Sequence, residues 1–104
     1  MEISTSDQGN STLIKFNKKQ LLGTEGVEFQ DYVLNTLDKG IHSIVIDLSN
    51  VEYVTSWAIG MLVHAFTTTT NRNANFELVG VTNKVKEILS KVKLDTIFPM
   101  RDVH

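Results

Sequence analysis

The sequence predicts an α/β fold: a single small domain forming a mixed sheet, with an N-terminal hairpin, parallel strands after it, and helices packed on the sheet. Three observations predict this. Apolar residues alternate with a period of two near the start and recur at helical spacing in three later segments. The order strand, strand, helix, strand, helix, strand, helix is that of parallel strands joined by right-handed helical crossovers. The length, 104 residues, accommodates one hydrophobic core and not two, so residues 1–104 are read as one domain.

Each element has its own justification. In "STLIKF", Ser11 to Phe16, residues Thr12, Ile14 and Phe16 share one face and Leu13 and Lys15 the other, the pattern of a strand. Glu2 to Thr5 forms its hairpin partner across the turn formers of "SDQGN". Thr24 is a candidate cap for a first helix. Its early acids Glu25, Glu28 and Asp31 complement the helix dipole, and Phe29, Val33 and Leu37 repeat every four residues, with Tyr32 and Leu34 widening the face. Lys39-Gly40 ends it, because glycine takes the left-handed conformation without steric penalty. The β-branched run Ile44, Val45, Ile46 reads as a central strand buried on both faces. A second helix starts near Ser56 or Trp57, uses Ala58, Met61, Leu62, Ala65 and Phe66, and fades in "TTTT" before "NRNAN". The strand "NFELVG" follows. A third helix, capped by Thr82 or Asn83, places Val85, Ile88, Leu89 and Val92 on one face. The tail "LDTIFPM" is apolar enough to dock.

Composition narrows the function classes. With 41% hydrophobic and 21% charged residues and one proline, the chain has the apolar content of a folded domain. A net charge of -2 does not supply the concentrated basic face that nucleic acid requires. Cysteine is absent, which removes disulfide and thiolate chemistry and suits a reducing compartment. The start "MEISTSDQGN" lacks the pattern of a secretory signal and no apolar stretch reaches membrane-spanning length, so a cytoplasmic protein without membrane insertion is expected.

Catalytic constellations fail on spacing. A serine nucleophile would combine Ser56, His64 and Asp47. Eight residues of helix, at 1.5 Å rise, separate Ser56 from His64 by roughly 12 Å along the axis. "TSWAIG" also lacks the glycine two residues before the serine that a nucleophile elbow needs. His42, His64 and His104 have no paired metal-ligand spacing, and "GTEG" matches neither phosphate-binding glycine motif. Asp47 reads as the polar end of a buried strand and Glu52 as a solvated loop residue. No cofactor, no metal and no enzyme activity are expected. Lys84, Lys86, Lys91 and Lys93 near the third helix and Glu25, Glu28, Asp31 and Asp38 on the first read first as solvated surface. A difference in sign between the two faces would steer a protein partner.

The adjacent hydroxyls Thr55 and Ser56 remain. In a parallel sheet, ligands and partners meet loops at the carboxyl ends of the strands, where "SNVEYVTS" falls. Either hydroxyl suffices to cap the second helix. An exposed serine there is also a phosphate acceptor. The added charge of about -1.5 to -2 suits the helix dipole, while a partner packed on the neutral hydroxyl would have to desolvate a dianion.

From Ile41 to Phe98 the chain resembles a STAS domain of the anti-sigma-factor antagonist type. The resemblance is carried by "IVIDLSNVEYVTSWAIGMLVHAF" and "FELVGVTNKVKEILSKVKLDTIF". They follow that family's strand ending in Asp-Leu, its Asp-Ser-Ser/Thr-Gly-hydrophobic-Gly motif, its helix, its strand ending near Val-Gly, and its final helix before Leu-Asp-x-x-Phe. Ser56 falls on the serine phosphorylated in that family, with Thr55 as the second candidate acceptor, and Ile59-Gly60 falls on the motif's end. Thr55 replaces the usual Asp, Trp57 the Ser or Thr, and Ala58 the first Gly. The resemblance implies a non-enzymatic regulator in bacterial partner switching. Its partners would be a serine-kinase anti-sigma factor, or a related kinase that itself holds ATP, and a phosphatase. Thr55, Ser56, Trp57 and Gly60 would meet the partner, with Trp57 either an interface anchor or part of the core. Three other readings stay open: a constitutive docking module with a degenerate motif, an accessory subunit of an ABC-type transporter, and, last, a small hydrolase. Self-association is left open.

Overall fold

The computed structural model describes residues 2–101. Along the chain run β1 (Ile3–Gln8), β2 (Ser11–Phe16), β3 (Gln20–Leu21), α1 (Gly26–Asp38), β4 (Ser43–Asp47), β5 (Tyr53–Val54), α2 (Ser56–Asn71), β6 (Asn75–Val79), α3 (Asn83–Lys91) and β7 (Met100–Arg101). The main sheet has the order β1-β2-β4-β6-β7, with only the β1–β2 pair antiparallel. β3 and β5 pair parallel as a separate two-stranded piece, which the sequence reading did not include. Two-residue strands carry no periodicity to read.

The hairpin is longer than "SDQGN" suggested, because Ser6 to Gln8 join β1 and only Gly9 and Asn10 turn. Gly9 has φ 76° and Asn10 is not in the left-handed region, the arrangement of a two-residue turn that needs glycine first. In β2 the alternation is as read: Thr12, Ile14 and Phe16 are buried. β4 is central, and its continuous burial has two sources. Ile44 and Ile46 join the core cluster. Val45 lies outside that cluster, flanked across the sheet by Leu13 and Glu77.

That cluster unites Ile14, Phe16, Ile44, Ile46, Phe76 and Leu78 from the strands with Phe29, Val33 and Leu37 of α1, Leu62 and Ala65 of α2, and Val85 and Leu89 of α3. Phe98 of the tail is buried and stacks edge-on to Phe66, so the tail docks before β7 pairs with β6.

Three helix ends depart from the reading. α1 is not capped by Thr24: Glu25 holds the cap position without a side-chain capping bond, its carboxylate being committed elsewhere. α2 continues through the threonine run because Thr68, Thr69 and Thr70 return their hydroxyls to the carbonyls of His64, Ala65 and Phe66. Val92 is exposed, although it continues the apolar spacing of α3. The helix stops at Lys91, Lys93 turns left-handed at φ 61°, and the N–H groups of Lys93 and Leu94 close on the carbonyls of Ser90 and Leu89.

Candidate functional site

The carboxyl ends of β2, β4 and β6 open into neighbouring loops. Asp47 ends β4 as a buried carboxylate whose Oδ1 accepts the Ser49 N–H at 2.8 Å. Gly80 (φ 65°) closes over this turn so tightly that a Cβ there would lie 2.9 Å from that of Ser49. Asp47 is thus the polar strand end that the sequence suggested. A polar cleft of about 350 Å³ lies alongside, lined by Asn17, Lys18, Lys19, Ser49, Asn50 and Glu52. Two of its charges are paired internally, Lys18 with Glu25 and Glu52 with Lys84.

The two hydroxyls divide their work. Thr55, in extended backbone at the N-cap of α2, accepts the Ala58 N–H at 3.1 Å and donates to the Leu22 carbonyl at 2.7 Å. Its oxygen therefore caps the helix and ties it to the loop after β3. Ser56 is the first residue of α2 and is exposed, and no protein partner of its hydroxyl occurs among the described residues. Capping accounts for Thr55 and leaves Ser56 over. The first turn contains no acidic residue, so nothing there opposes an added anion.

Next to Ser56 the chain exposes a large apolar side chain. Trp57 is 76% exposed, which settles the choice between core and surface. Gly23, at φ 102°, lies against it: a Cβ on Gly23 would stand 2.6 Å from that of Trp57, so no other residue fits there without movement. This close approach brings the exposed Leu22, whose carbonyl Thr55 binds, to the same corner as Trp57, and the exposed Val27 follows four residues after Gly23 in the first turn of α1. The exposure of these two was not readable beforehand, since single apolar residues beside a helix read as core. Gly60 is exposed one helical turn after Ser56, and a Cβ there would touch nothing within 4 Å. Its glycine answers no steric demand inside the domain.

Beneath this corner sits an ion pair that the sequence reading missed. Glu25 is buried; its carboxylate accepts the Lys18 ammonium and, at 2.8 Å, the Gly23 N–H. Burial raises the Glu25 pKa, but the hydrogen bonds from Lys18 and the backbone outweigh it and bring the carboxyl below its ordinary value. The Glu25 hydrogen bond raises that of Lys18 against the opposing effect of burial. In sequence Glu25 looks like one more acid at a helix start; only the fold brings Lys18 to it.

The remaining candidates do not converge. His42 and His64 are exposed, and His104 lies outside the described residues. Ser56 and His64 stand at opposite ends of the first two turns of one helix. The charge contrast between α1 and α3 is reduced by pairing, since Asp38 binds Arg72 and Lys84 binds Glu52. Among the described residues, no helix is long and apolar enough to cross a membrane.

Comparison with known proteins agrees with this geometry. The model of the STAS domain family matches residues 6–104. A Thermotoga maritima protein bearing the provisional name of anti-sigma factor antagonist is 33% identical over 66 residues, which is 64% of this chain and 58% of that protein, so the match spans little more than half of the relative's length. A Thermotoga maritima crystal structure with the same provisional name superposes with a TM-score of 0.85 at 26% identity, covering 97% of this chain and 86% of that one. The anti-sigma factor antagonist SpoIIAA shares the fold at 10% identity. Its unphosphorylated form gives a TM-score of 0.81 over 98% of this chain and 88% of its own, and its phosphorylated form, from Bacillus, 0.75 over 98% and 91%.

Proposed function

Because this chain belongs to the STAS domain family, we propose that it is a non-enzymatic switch protein. In this reading it binds a serine-kinase anti-sigma factor, or a kinase of related type, through the α2 corner and is released when Ser56 is phosphorylated. A phosphatase resets it, and the kinase rather than this domain holds ATP. One observation carries the reading: Thr55 performs the capping, so the exposed Ser56 hydroxyl is not needed by the fold. A phosphate on it would lie at a helix N-terminus, where first-turn N–H groups and the dipole favour an anion. Support comes from SpoIIAA, which shares the fold and has been solved both in its unphosphorylated and in its phosphorylated form.

The partner meets a different surface in each state. Before modification it packs on Leu22, Val27 and Trp57 around a neutral hydroxyl. Trp57 is the anchor, since a large exposed aromatic at the centre of a contact supplies a disproportionate share of binding energy. After modification the same contact would bury a dianion, a penalty of several kcal/mol unless it is paired.

The test is capture of partners from native lysate on the wild-type protein, Ser56→Ala and Ser56→Glu, with intact-mass analysis of the recovered baits. The reading predicts a kinase retained by wild type and Ser56→Ala and lost by Ser56→Glu, with one phosphoryl group mapped to Ser56 of the wild type. The same catch on all three, without phosphate, replaces the switch by a constitutive docking module.

A further inference from the structure

The two edges of the main sheet differ. β7 contributes two residues, whereas β1 contributes six, all exposed after Ile3. Natural sheets blunt long edges with proline, lysine, bulges or a covering element. β1 reads "ISTSDQ", without proline or lysine; its register with β2 is unbroken from Ile3 to Gln8, and no strand among the described residues lies outside it.

The register fixes which backbone groups face outward. Glu2 and Asn17 continue the pairing that joins Ile3 to Phe16, and the Asn17 N–H donates to the Glu2 carbonyl at 2.7 Å. They form a hydrogen-bonded pair, so by alternation Ser4, Ser6 and Gln8 also bond to β2. The N–H and C=O groups of Ile3, Thr5 and Asp7 therefore point away from the sheet.

We infer that β1 pairs antiparallel with β1 of a second copy, about a two-fold axis at Thr5, to give one continuous sheet. In that register Thr5 faces the second Thr5, and Ile3 faces Asp7 in both directions, so every outward N–H and C=O of these residues finds a partner. On the alternate positions Ser4 faces Ser6. The charges fit the pairing: Asp7 meets Ile3, Glu2 meets Gln8, and no like charges stand opposite. A threonine pair at the axis is a favourable cross-strand contact. An antiparallel strand from another protein would satisfy the same hydrogen bonds, but this edge is already complementary to itself. Six residues make a small contact, so the dimer is weak and concentration-dependent. It uses no atom of the Ser56 corner.

Sedimentation equilibrium on the intact chain from about 10 μM to about 1 mM, a range that populates weak interfaces, tests this. Wild type and Ser56→Ala are expected to rise together from monomer mass toward twice that mass. Thr5→Pro removes an outward N–H without touching the β1–β2 ladder, and Thr5→Lys sets two ammonium groups face to face at the axis; both are expected to remain monomeric. Hydrogen exchange on wild type supplies a test free of mutation. Raising the concentration should slow the amides of Ile3, Thr5 and Asp7 by about tenfold or more while leaving Ser4, Ser6 and Gln8 unchanged. A wild type that stays monomeric throughout, Thr5 variants that dimerise like wild type, or concentration-dependent protection without this alternation would each overturn the inference.

Discussion

At the start of α2 and at the start of α3, a threonine in extended backbone does the same two jobs. Thr55 accepts the Ala58 N–H and donates to the Leu22 carbonyl; Thr82 accepts the Val85 N–H and donates to the Val51 carbonyl. The residues that follow differ. In α3, Asn83 and Lys84 present a polar turn whose lysine pairs with Glu52. In α2, Ser56 and Trp57 present a free hydroxyl and an exposed indole to solvent. Each of these two helix starts uses one hydroxyl, and the second one at α2 is surplus to the fold. The contrast therefore separates what stabilises the domain from what is available to a partner.

The largest effect is expected below the α2 corner, where the Lys18–Glu25 pair has a buried carboxylate, unlike the exposed Lys84–Glu52 pair at α3. Lys18→Met leaves the buried Glu25 carboxylate without its cation and should cost about 3–5 kcal/mol in denaturant unfolding at neutral pH. The sign with pH follows from the shifts. In wild type the lowered Glu25 pKa contributes stability that is fully present above its ordinary value of 4.5 and is lost as pH falls through the lower folded value. The raised Lys18 pKa contributes stability fully present below 10.5 and lost as pH rises past that. In Lys18→Met the unpaired carboxyl titrates higher, so the deficit should shrink on acidification. A deficit that grows in acid would refute the pairing.

Trp57→Ala should lower partner affinity by about 2 kcal/mol or more in calorimetric titration, with a change in unfolding free energy below about 0.5 kcal/mol, because the indole is exposed. The reverse outcome would make Trp57 a structural residue and erase the contrast with α3. Thr55→Ala and Thr82→Ala should each cost about 1–2 kcal/mol, matching one another because each removes a cap and a tie to a neighbouring loop. Unequal losses would show that Ser56 takes over capping when Thr55 is gone. Gly60→Ala is the smallest change and has the opposite sign. It should stabilise the helix by about 0.5–1 kcal/mol, since nothing crowds the new methyl, while weakening the partner's approach beside Ser56.

Much of this was legible in the sequence where a pattern persists over several residues. Thr12, Ile14 and Phe16 announced β2, and Ile44 to Ile46 announced the centre of the sheet. Short or long-range features were not. β3, β5 and β7 are two residues each and form because neighbours hold them. Val92 kept the helical spacing of α3 but faces water, since the left-handed Lys93 ends the helix first. At the candidate site the position of Ser56 was readable, whereas the division of labour with Thr55 was not. Adjacent hydroxyls are equivalent as letters, and only the reach of Thr55 to Ala58 and Leu22 distinguishes them. Leu22 and Gly23 entered the corner through the Gly23–Trp57 approach, a contact between residues far apart in the chain.

The central claim is best tested on protein carrying phosphoserine at position 56, compared with unmodified protein for both unfolding free energy and affinity for the kinase recovered by capture. The account predicts folding stability within about 1 kcal/mol of the unmodified domain and affinity reduced by at least about a hundredfold, a loss of about 2.7 kcal/mol. Undiminished affinity, or a domain unfolded by its phosphate, would contradict it.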